Sequence, residues 1–189
     1  SWSGSASGSM NSVTLPATIT GLAAGSYTIV FNSSAGCASN SVSQVLTDPT
    51  PPTAPTISAG GATTFCVGDS VVLTSSSATG NTWSNGATTQ STTILTSGNY
   101  TVTFTNVSGC SATSGQTSVT VNPLPTVTFG LLADMCDYNS AITLTQGSPA
   151  GGTYSGNGVS GGMFDPSTAG LGVSTLTYDY TDANGCFAS

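Results

Sequence analysis

Apolar and polar residues alternate along much of the chain, and the clearest alternation occurs in three segments that share one pattern. The segments are Tyr27–Cys37, Tyr100–Cys110 and Leu176–Cys186, and each begins with a large apolar residue and ends in Gly-Cys. Because successive side chains of a strand point to opposite faces, a period of two predicts a strand with one buried face. The Asn, Asp, Ser and Gly residues before each cysteine predict a tight turn at the end of that strand.

The three motifs recur at a nearly constant interval, because their cysteines lie 73 and 76 residues apart. This interval suits a small β-sandwich domain. We therefore divide the chain into residues 1–48, the C-terminal part of one repeat; 49–55, a Pro-rich linker; 56–122, a complete domain; and 123–189, a domain lacking its last strand. Residues 1–48, 56–122 and 123–189 are called the first, middle and third repeats below. Proline favours extended connections between them.

Alternation and turn residues predict several short strands in each repeat and no helix. In the middle repeat, strands are expected near 55–59, 70–75, 81–84, 90–95, 98–106 and 117–122. In the third repeat they are expected at 127–129, 141–145, 152–155 and 176–181. Trp83 and Tyr100 stand where immunoglobulin-like domains keep a core tryptophan and a tyrosine corner. The predicted fold class is all-β, with tandem immunoglobulin-like β-sandwich domains joined by short Pro-rich linkers.

The charge pattern excludes several classes of function. The net charge is −7, and the sequence contains no Lys, Arg, His or Glu. General acid–base catalysis and phosphate binding rely on those residues, so we expect no enzyme and no cofactor. Nucleic-acid binding requires basic side chains, so we expect no nucleic-acid partner. No apolar run approaches the roughly 18 residues of a membrane helix, and we expect no membrane insertion.

The five cysteines fit the repeat pattern, with one cysteine before the second strand and one after the penultimate strand. We predict disulfides between Cys66 and Cys110 and between Cys136 and Cys186. The expected partner of Cys37 would lie in a part of the first repeat upstream of residue 1. There is no Cys-x-x-Cys motif and no histidine, so we expect no metal site. Disulfides indicate an oxidising, extracellular environment.

Two tyrosines, Tyr138 and Tyr154, are candidate glycan contacts, because amphipathic rings stack on the apolar face of a sugar. Trp2 and Trp83 have the same chemistry, but Trp83 is expected in the core. The Asp182–Gly185 segment shares residues with a calcium loop, yet it lacks the bidentate carboxylate, and a hairpin turn is favoured. Asp134 and Asp137 flank Cys136 and could join it in a weak cation site, but solvated loop carboxylates are the simpler interpretation.

Several motifs resemble the immunoglobulin-like repeats of very large secreted Bacteroidetes proteins. In the middle repeat these are Cys66-Val-Gly-Asp-Ser-Val-Val-Leu-Thr, Trp83-Ser-Asn-Gly-Ala-Thr-Thr and Ser97-Gly-Asn-Tyr-Thr-Val. In the third repeat they are Gly151-Gly-Thr-Tyr-Ser-Gly and Tyr180-Thr-Asp-Ala-Asn-Gly-Cys. Residues 15–37 are similar to the repeat of gliding-motility adhesins. The resemblance covers nearly the whole chain.

The resemblance implies export by the type IX secretion system and an extracellular location at the cell surface. It also implies a structural stalk or filament segment of a large adhesin, which serves surface attachment and gliding motility. The expected partners are neighbouring repeats of the same long chain and extracellular polysaccharide or other surfaces. Asp69-Ser70-Val71 matches the O-glycosylation pattern of that phylum, so Ser70 is a candidate modification site. Two alternatives are a carbohydrate-binding or spacer module of a secreted polysaccharide-degrading enzyme, and a self-assembling surface fibre subunit.

Overall fold

A computed structural model of the chain describes residues 2–4, 8, 19–31 and 36–189. Over these residues the fold is nearly all-β, with short strands in several sheets and one helix of four residues. The chain divides into two compact units. One unit comprises Ser1–Thr53 with Thr105–Ser111, and the other comprises Ala54–Phe104 with Ala112–Ser189.

The first unit contains a three-stranded antiparallel sheet in the order β1-β2-β3. Its strands are β1 (Trp2–Gly4), β2 (Gly25–Ile29) and β3 (Val42–Leu46). Tyr27, on the central strand, is buried, and its hydroxyl donates to the Ala23 carbonyl oxygen at 2.9 Å. The strand predicted from Tyr27 is confirmed as far as Ile29, whereas Phe31, predicted on its buried face, lies beyond the strand and is 51% exposed. The turn predicted before Cys37 falls on residues 32–35, which lie outside the described residues.

The middle repeat forms three small sheets, in the orders β4-β6-β8, β7-β10-β11 and β5-β12-β9. The pairs β4–β6, β6–β8, β7–β10 and β9–β12 are antiparallel, whereas β5 and β12 run parallel. The strands are β4 (Ile57–Ala59), β5 (Thr64–Cys66), β6 (Val71–Ser75), β7 (Asn81–Trp83), β8 (Ser91–Ile94), β9 (Gly98–Tyr100), β10 (Val102–Thr105), β11 (Ser111–Thr113) and β12 (Thr117–Asn122). The six predicted strands are confirmed, with the longest broken at Thr101, while β5 and β11 were not predicted.

One core joins the three sheets of the middle repeat. Alternation on β6 buries Val71, Leu73 and Ser75 and leaves Val72 exposed. Tyr100 is buried as predicted, and its hydroxyl donates to the Thr96 carbonyl oxygen at 2.9 Å. This bond to the carbonyl four residues upstream is the one that Tyr27 makes in the first unit. The buried core residues are Val71, Leu73, Trp83, Ile94, Tyr100, Val102 and Val119.

The third repeat has strands at all four predicted places and further short ones between them. They form the sheets β13-β15, β14-β18-β17 and β16-β19-β20. The strands are β13 (Thr128–Phe129), β14 (Ile142–Thr143), β15 (Gly147–Ser148), β16 (Thr153–Gly156), β17 (Val159–Ser160), β18 (Met163–Phe164), β19 (Leu176–Thr181) and β20 (Phe187–Ala188). The sheet β16-β19-β20 corresponds to β7-β10-β11 of the middle repeat. In both sheets the central strand is followed by the Gly-Cys turn and then by an edge strand.

A single-turn helix corrects the prediction that the chain has none. The helix α1 spans Pro166–Ala169, and the Asp165 carboxylate caps it by accepting a hydrogen bond from the Ser167 backbone N–H at 3.0 Å. Proline at the first helical position loses no hydrogen bond, because the N–H groups there have no partner within the helix. One turn is too short to produce a helical period in the sequence. No helix among residues 2–4, 8, 19–31 and 36–189 is long and apolar enough to span a membrane.

Candidate functional site

The turns that carry Cys110 and Cys186 are built in the same way. In the third repeat, Asp182 Oδ1 accepts hydrogen bonds from the backbone N–H groups of Asn184 at 2.9 Å and Cys186 at 2.8 Å. In the middle repeat, Asn106 Oδ1 accepts from the N–H groups of Ser108 and Cys110, both at 3.0 Å. The predicted hairpin turns are therefore confirmed in both repeats, and the side chain of Asp182 serves the turn.

Cys186 forms a disulfide with Cys66, which joins the third repeat to the middle repeat. The Cα atoms are 5.6 Å apart, and Cys186 is fully buried. The predicted pairs Cys66–Cys110 and Cys136–Cys186 are wrong in this structure, where Cys110 and Cys136 belong to no disulfide. Both predicted pairs lay within one repeat, whereas the observed pair connects two.

The direction of strand β5 explains why Cys66 forms its disulfide with Cys186 and not with Cys110. Strand β5 runs parallel to β12, and Cys66 lies opposite Asn122, the last residue of β12. From Asn122 the chain continues directly into the third repeat, so Cys66 stands at the junction of the two repeats. Strands β9 and β12 are antiparallel, and β10 continues the course of β9. The chain therefore leaves β10 toward Cys110 in the direction away from Cys66.

The other cysteines have different surroundings. The half-buried thiol of Cys110 donates to the Pro49 carbonyl oxygen at 3.6 Å. Cys136 is exposed, and its backbone N–H donates to Asn139 Oδ1 at 2.5 Å. A hydrogen bond with Cys136 raises the pKa of Tyr138 above its ordinary value. Cys37 is exposed at the surface.

The two candidate glycan contacts differ in their surroundings. Tyr138 is 83% exposed and presents a ring that solvent molecules reach. Tyr154 is half-buried; its ring centroid lies 4.7 Å from that of Tyr178 and 5.7 Å from that of Phe129. Its hydroxyl accepts a hydrogen bond from the Gly147 backbone N–H at 2.8 Å. These contacts are those of a core residue, so Tyr138 is the better placed of the two for a sugar.

Tyr178 lies on the buried face of β19, as the alternation of this segment predicts, and organises the aromatic cluster of the third repeat. Its hydroxyl donates to the Pro149 carbonyl oxygen and accepts from the Gly152 N–H at 2.7 Å. The ring passes so close to Gly147 and Gly152 that a Cβ on either would lie 2.5 Å from a ring atom. The two glycines therefore have a packing role, because only residues without a Cβ leave room for the ring.

Ser70 is the exposed loop residue immediately before β6. Its exposed hydroxyl is accessible to a modifying enzyme. The O-glycosylation of Ser70 stays a prediction. Trp83 is buried in the core, as predicted, and its indole N–H donates to the Thr89 carbonyl oxygen at 2.9 Å. The side chain of Trp2 lies outside the described residues.

The carboxylates do not form a metal site in the part of the chain that the structure describes. Among those residues there is no cluster of three or more His, Cys, Asp or Glu side chains that could hold a metal ion. Asp182, the residue most similar to a calcium ligand, directs its Oδ1 atom to backbone N–H groups. Its chemistry is that of a turn-forming acceptor.

Asp182 makes the turn of the third repeat sensitive to acid. The hydrogen bond from the Cys186 backbone N–H lowers the pKa of Asp182, with further contributions from Asn184 and Gly185. A carboxyl group whose pKa is lower in the folded state stabilises the fold above its unfolded pKa of roughly 3.9. This stabilisation is lost as the pH falls through the folded pKa.

We predict that Asp182→Asn makes stability less dependent on pH below about pH 4. An amide at this position accepts the same hydrogen bonds, as Asn106 does in the middle repeat, but it does not titrate. Urea midpoints measured between pH 6 and pH 2 should fall less steeply for the variant than for the natural chain. The reciprocal change, Asn106→Asp, should add acid sensitivity; parallel profiles for all three chains would contradict the assignment.

No family model matches the chain, and no curated protein matches it.

Proposed function

We propose that the chain is a structural stalk or filament segment of a large secreted cell-surface adhesin, with a role in surface attachment and gliding motility. The observation that carries the proposal is the disulfide between Cys66 and Cys186, which fastens one repeat to the next. A cross-link between two repeats stabilises both of them together, because it restricts the unfolded chain across their junction. The repeats themselves are proposed to be immunoglobulin-like sandwiches.

Three further observations support this proposal. The same sequence pattern, an alternating apolar segment that ends in Gly-Cys, occurs three times in one chain, as in tandem arrays whose modules contact mainly their neighbours. Tyr27 and Tyr100 form the same hydroxyl-to-carbonyl bond, which resembles the tyrosine corner of immunoglobulin-like domains. A buried disulfide persists in an oxidising compartment, which favours an extracellular location.

The absence of cationic side chains supports a structural role over an enzymatic one. Lys, Arg and His do not occur in the sequence. The carboxylate with a lowered pKa, Asp182, is occupied by backbone N–H groups. The proposed partners are accordingly neighbouring repeats of the same chain and extracellular surfaces.

Small-angle X-ray scattering tests the stalk proposal. A compact globule of 189 residues has a radius of gyration of about 16 Å. We expect a value well above this for the oxidised chain, with a distance distribution that has the long tail of an elongated particle. A matched measurement on Cys136→Ser, which leaves the disulfide intact, should give the same curve. A radius of gyration of about 16 Å would overturn the proposal.

A further inference from the structure

A cavity of about 570 Å³ lies at one edge of the third repeat. Two stretches of chain line most of it, 129–137 and 169–176, and no part of 130–137 or 170–175 belongs to a β-strand. The middle repeat shows what lies between the equivalent stretches. There, β12 is inserted between β5 and β9.

The equivalence follows from the cysteines. Aligning Cys66 with Cys136 and Cys110 with Cys186 places β5 on residues 134–136 and β9 on residues 174–176. In the middle repeat, β12 pairs parallel with β5 from Thr120 to Asn122 and antiparallel with β9 from Thr117 to Val119. Four of the corresponding residues line the cavity: Asp134, Met135, Ser174 and Leu176.

A third pair of equivalent residues, Ser97 and Val173, also places the cavity where β12 lies in the middle repeat. In the middle repeat, Ser97 lies beside β12, where its hydroxyl accepts a hydrogen bond from the Val121 N–H at 2.8 Å. The equivalent residue in the third repeat is Val173, which lines the cavity and is 100% exposed. Leu131, on the opposite side, is also 100% exposed. Exposed apolar side chains around a concavity are typical of an interaction site.

We propose that this cavity is an acceptor slot for one added β-strand. The occupant is an extended, uncharged polypeptide segment with apolar residues at alternate positions, of the type of Thr117–Asn122. It would run parallel to residues 134–136 and antiparallel to residues 174–176, forming backbone hydrogen bonds along both sides. Addition of a strand to open backbone groups is a common mode of peptide recognition.

The chemistry of the slot selects this occupant. The lining supplies aliphatic side chains and two carboxylates, Asp134 and Asp137, and no cation, so an acidic segment is disfavoured. A second copy of the chain is a poor donor, because its own β12 is already paired on both edges. Strand β20 of the same chain is not the occupant either, because it is paired with β19. The proposal does not depend on the proposed function, since peptide binding and particle dimensions are measured separately.

The test uses the 189-residue chain and a fluorescently labelled synthetic peptide of residues 115–124, Gly-Gln-Thr-Ser-Val-Thr-Val-Asn-Pro-Leu. We expect saturable binding by fluorescence anisotropy with a dissociation constant of roughly 10⁻⁴ M, as for a small interface. Hydrogen exchange should slow at the backbone N–H groups of residues 134, 135 and 174–176 and at that of Asp137, the equivalent of Val67, which donates to Asn122 of β12. A peptide with both valines replaced by aspartate is the matched control and should bind at least ten times more weakly.

Slot variants locate the binding site. Val173→Asp and Leu131→Asp change fully exposed side chains, so the fold is retained while binding weakens at least tenfold. Val107→Asp, at a fully exposed position in the hairpin turn of the middle repeat, should bind like the natural chain. Equal binding by all variants, or no binding, would overturn the proposal. Concentration-dependent dimers that Val173→Asp abolishes would overturn the assigned occupant, since a second copy would then fill the slot.

Discussion

Replacing Cys186 with serine is expected to lower the free energy of unfolding of the unit Ala54–Phe104 with Ala112–Ser189 by about 5 kcal/mol. The bond joins residues 120 apart in sequence, and a cross-link of this length removes much of the conformational entropy of the unfolded chain. The substitution also leaves a hydroxyl at a fully buried position. Urea unfolding followed by circular dichroism under non-reducing conditions measures the change.

Cys136→Ser is the matched control for this prediction. Cys136 is exposed and belongs to no disulfide, so its replacement should alter stability by no more than about 0.5 kcal/mol. If Cys136 were instead the partner of Cys186, both variants would lose similar amounts. Comparable losses in the two variants would therefore refute the bond between repeats, and peptide mapping of the non-reduced chain identifies the linked pair directly.

Replacing Trp83 with alanine is expected to destabilise the middle repeat by about 3–5 kcal/mol. The ring is 2% exposed within the core that the three sheets share, and its N–H is bonded to the Thr89 carbonyl oxygen. Removing it leaves a cavity and an unpaired carbonyl group. Thermal and urea unfolding measure the loss.

Leu95→Ala controls for the loss of apolar surface in the same repeat, because Leu95 is largely exposed. We expect its effect to stay within about 0.5 kcal/mol. A Trp83→Ala chain as stable as Leu95→Ala would show that Trp83 is not a core residue, contrary to both the sequence pattern and the structure.

Long, alternating strands were predictable from the sequence, and short polar ones were not. Strand β6 reads Val-Val-Leu-Thr-Ser, and β12 reads Thr-Ser-Val-Thr-Val-Asn, so each has apolar residues on one face. Strand β11, Ser-Ala-Thr, has three small residues and no apolar alternation. Its pairing with β10 is decided by the hairpin turn and by tertiary contacts, which a local pattern does not contain.

The sequence does contain a signal for the start of helix α1. Asp165 followed by Pro166 is the combination of a capping carboxylate and a proline at the first helical position. The prediction missed it because helical periodicity needs more than one turn. A search for start signals alone would have found it.

The disulfide pairing depended on information that the repeat pattern lacks. The middle and third repeats each have one early and one late cysteine, and pairing within a repeat or between repeats fits that spacing equally well. The deciding fact is that β5 lies parallel to β12, which places Cys66 beside the exit of its own repeat. Parallel pairing of two strands separated by most of a repeat is a tertiary property.

The candidate site was partly predictable. Asp182 and its turn followed from the Asp-Ala-Asn-Gly sequence, because short polar side chains before glycine favour tight turns. Tyr154 was assigned to a surface, although its ring packs on Tyr178 and Phe129. A tyrosine in a Gly-rich stretch carries no period that reports its burial, so only the structure shows that its neighbours are aromatic.

The bond between Cys66 and Cys186 also determines how the chain would carry tension. A pulling force applied before residue 66 and after residue 186 passes through the sulfur atoms and leaves the 119 residues between them unloaded. Those residues would add roughly 400 Å of contour length if they were extended. While the bond is intact these residues bear no load, and reduction places them in the load-bearing path.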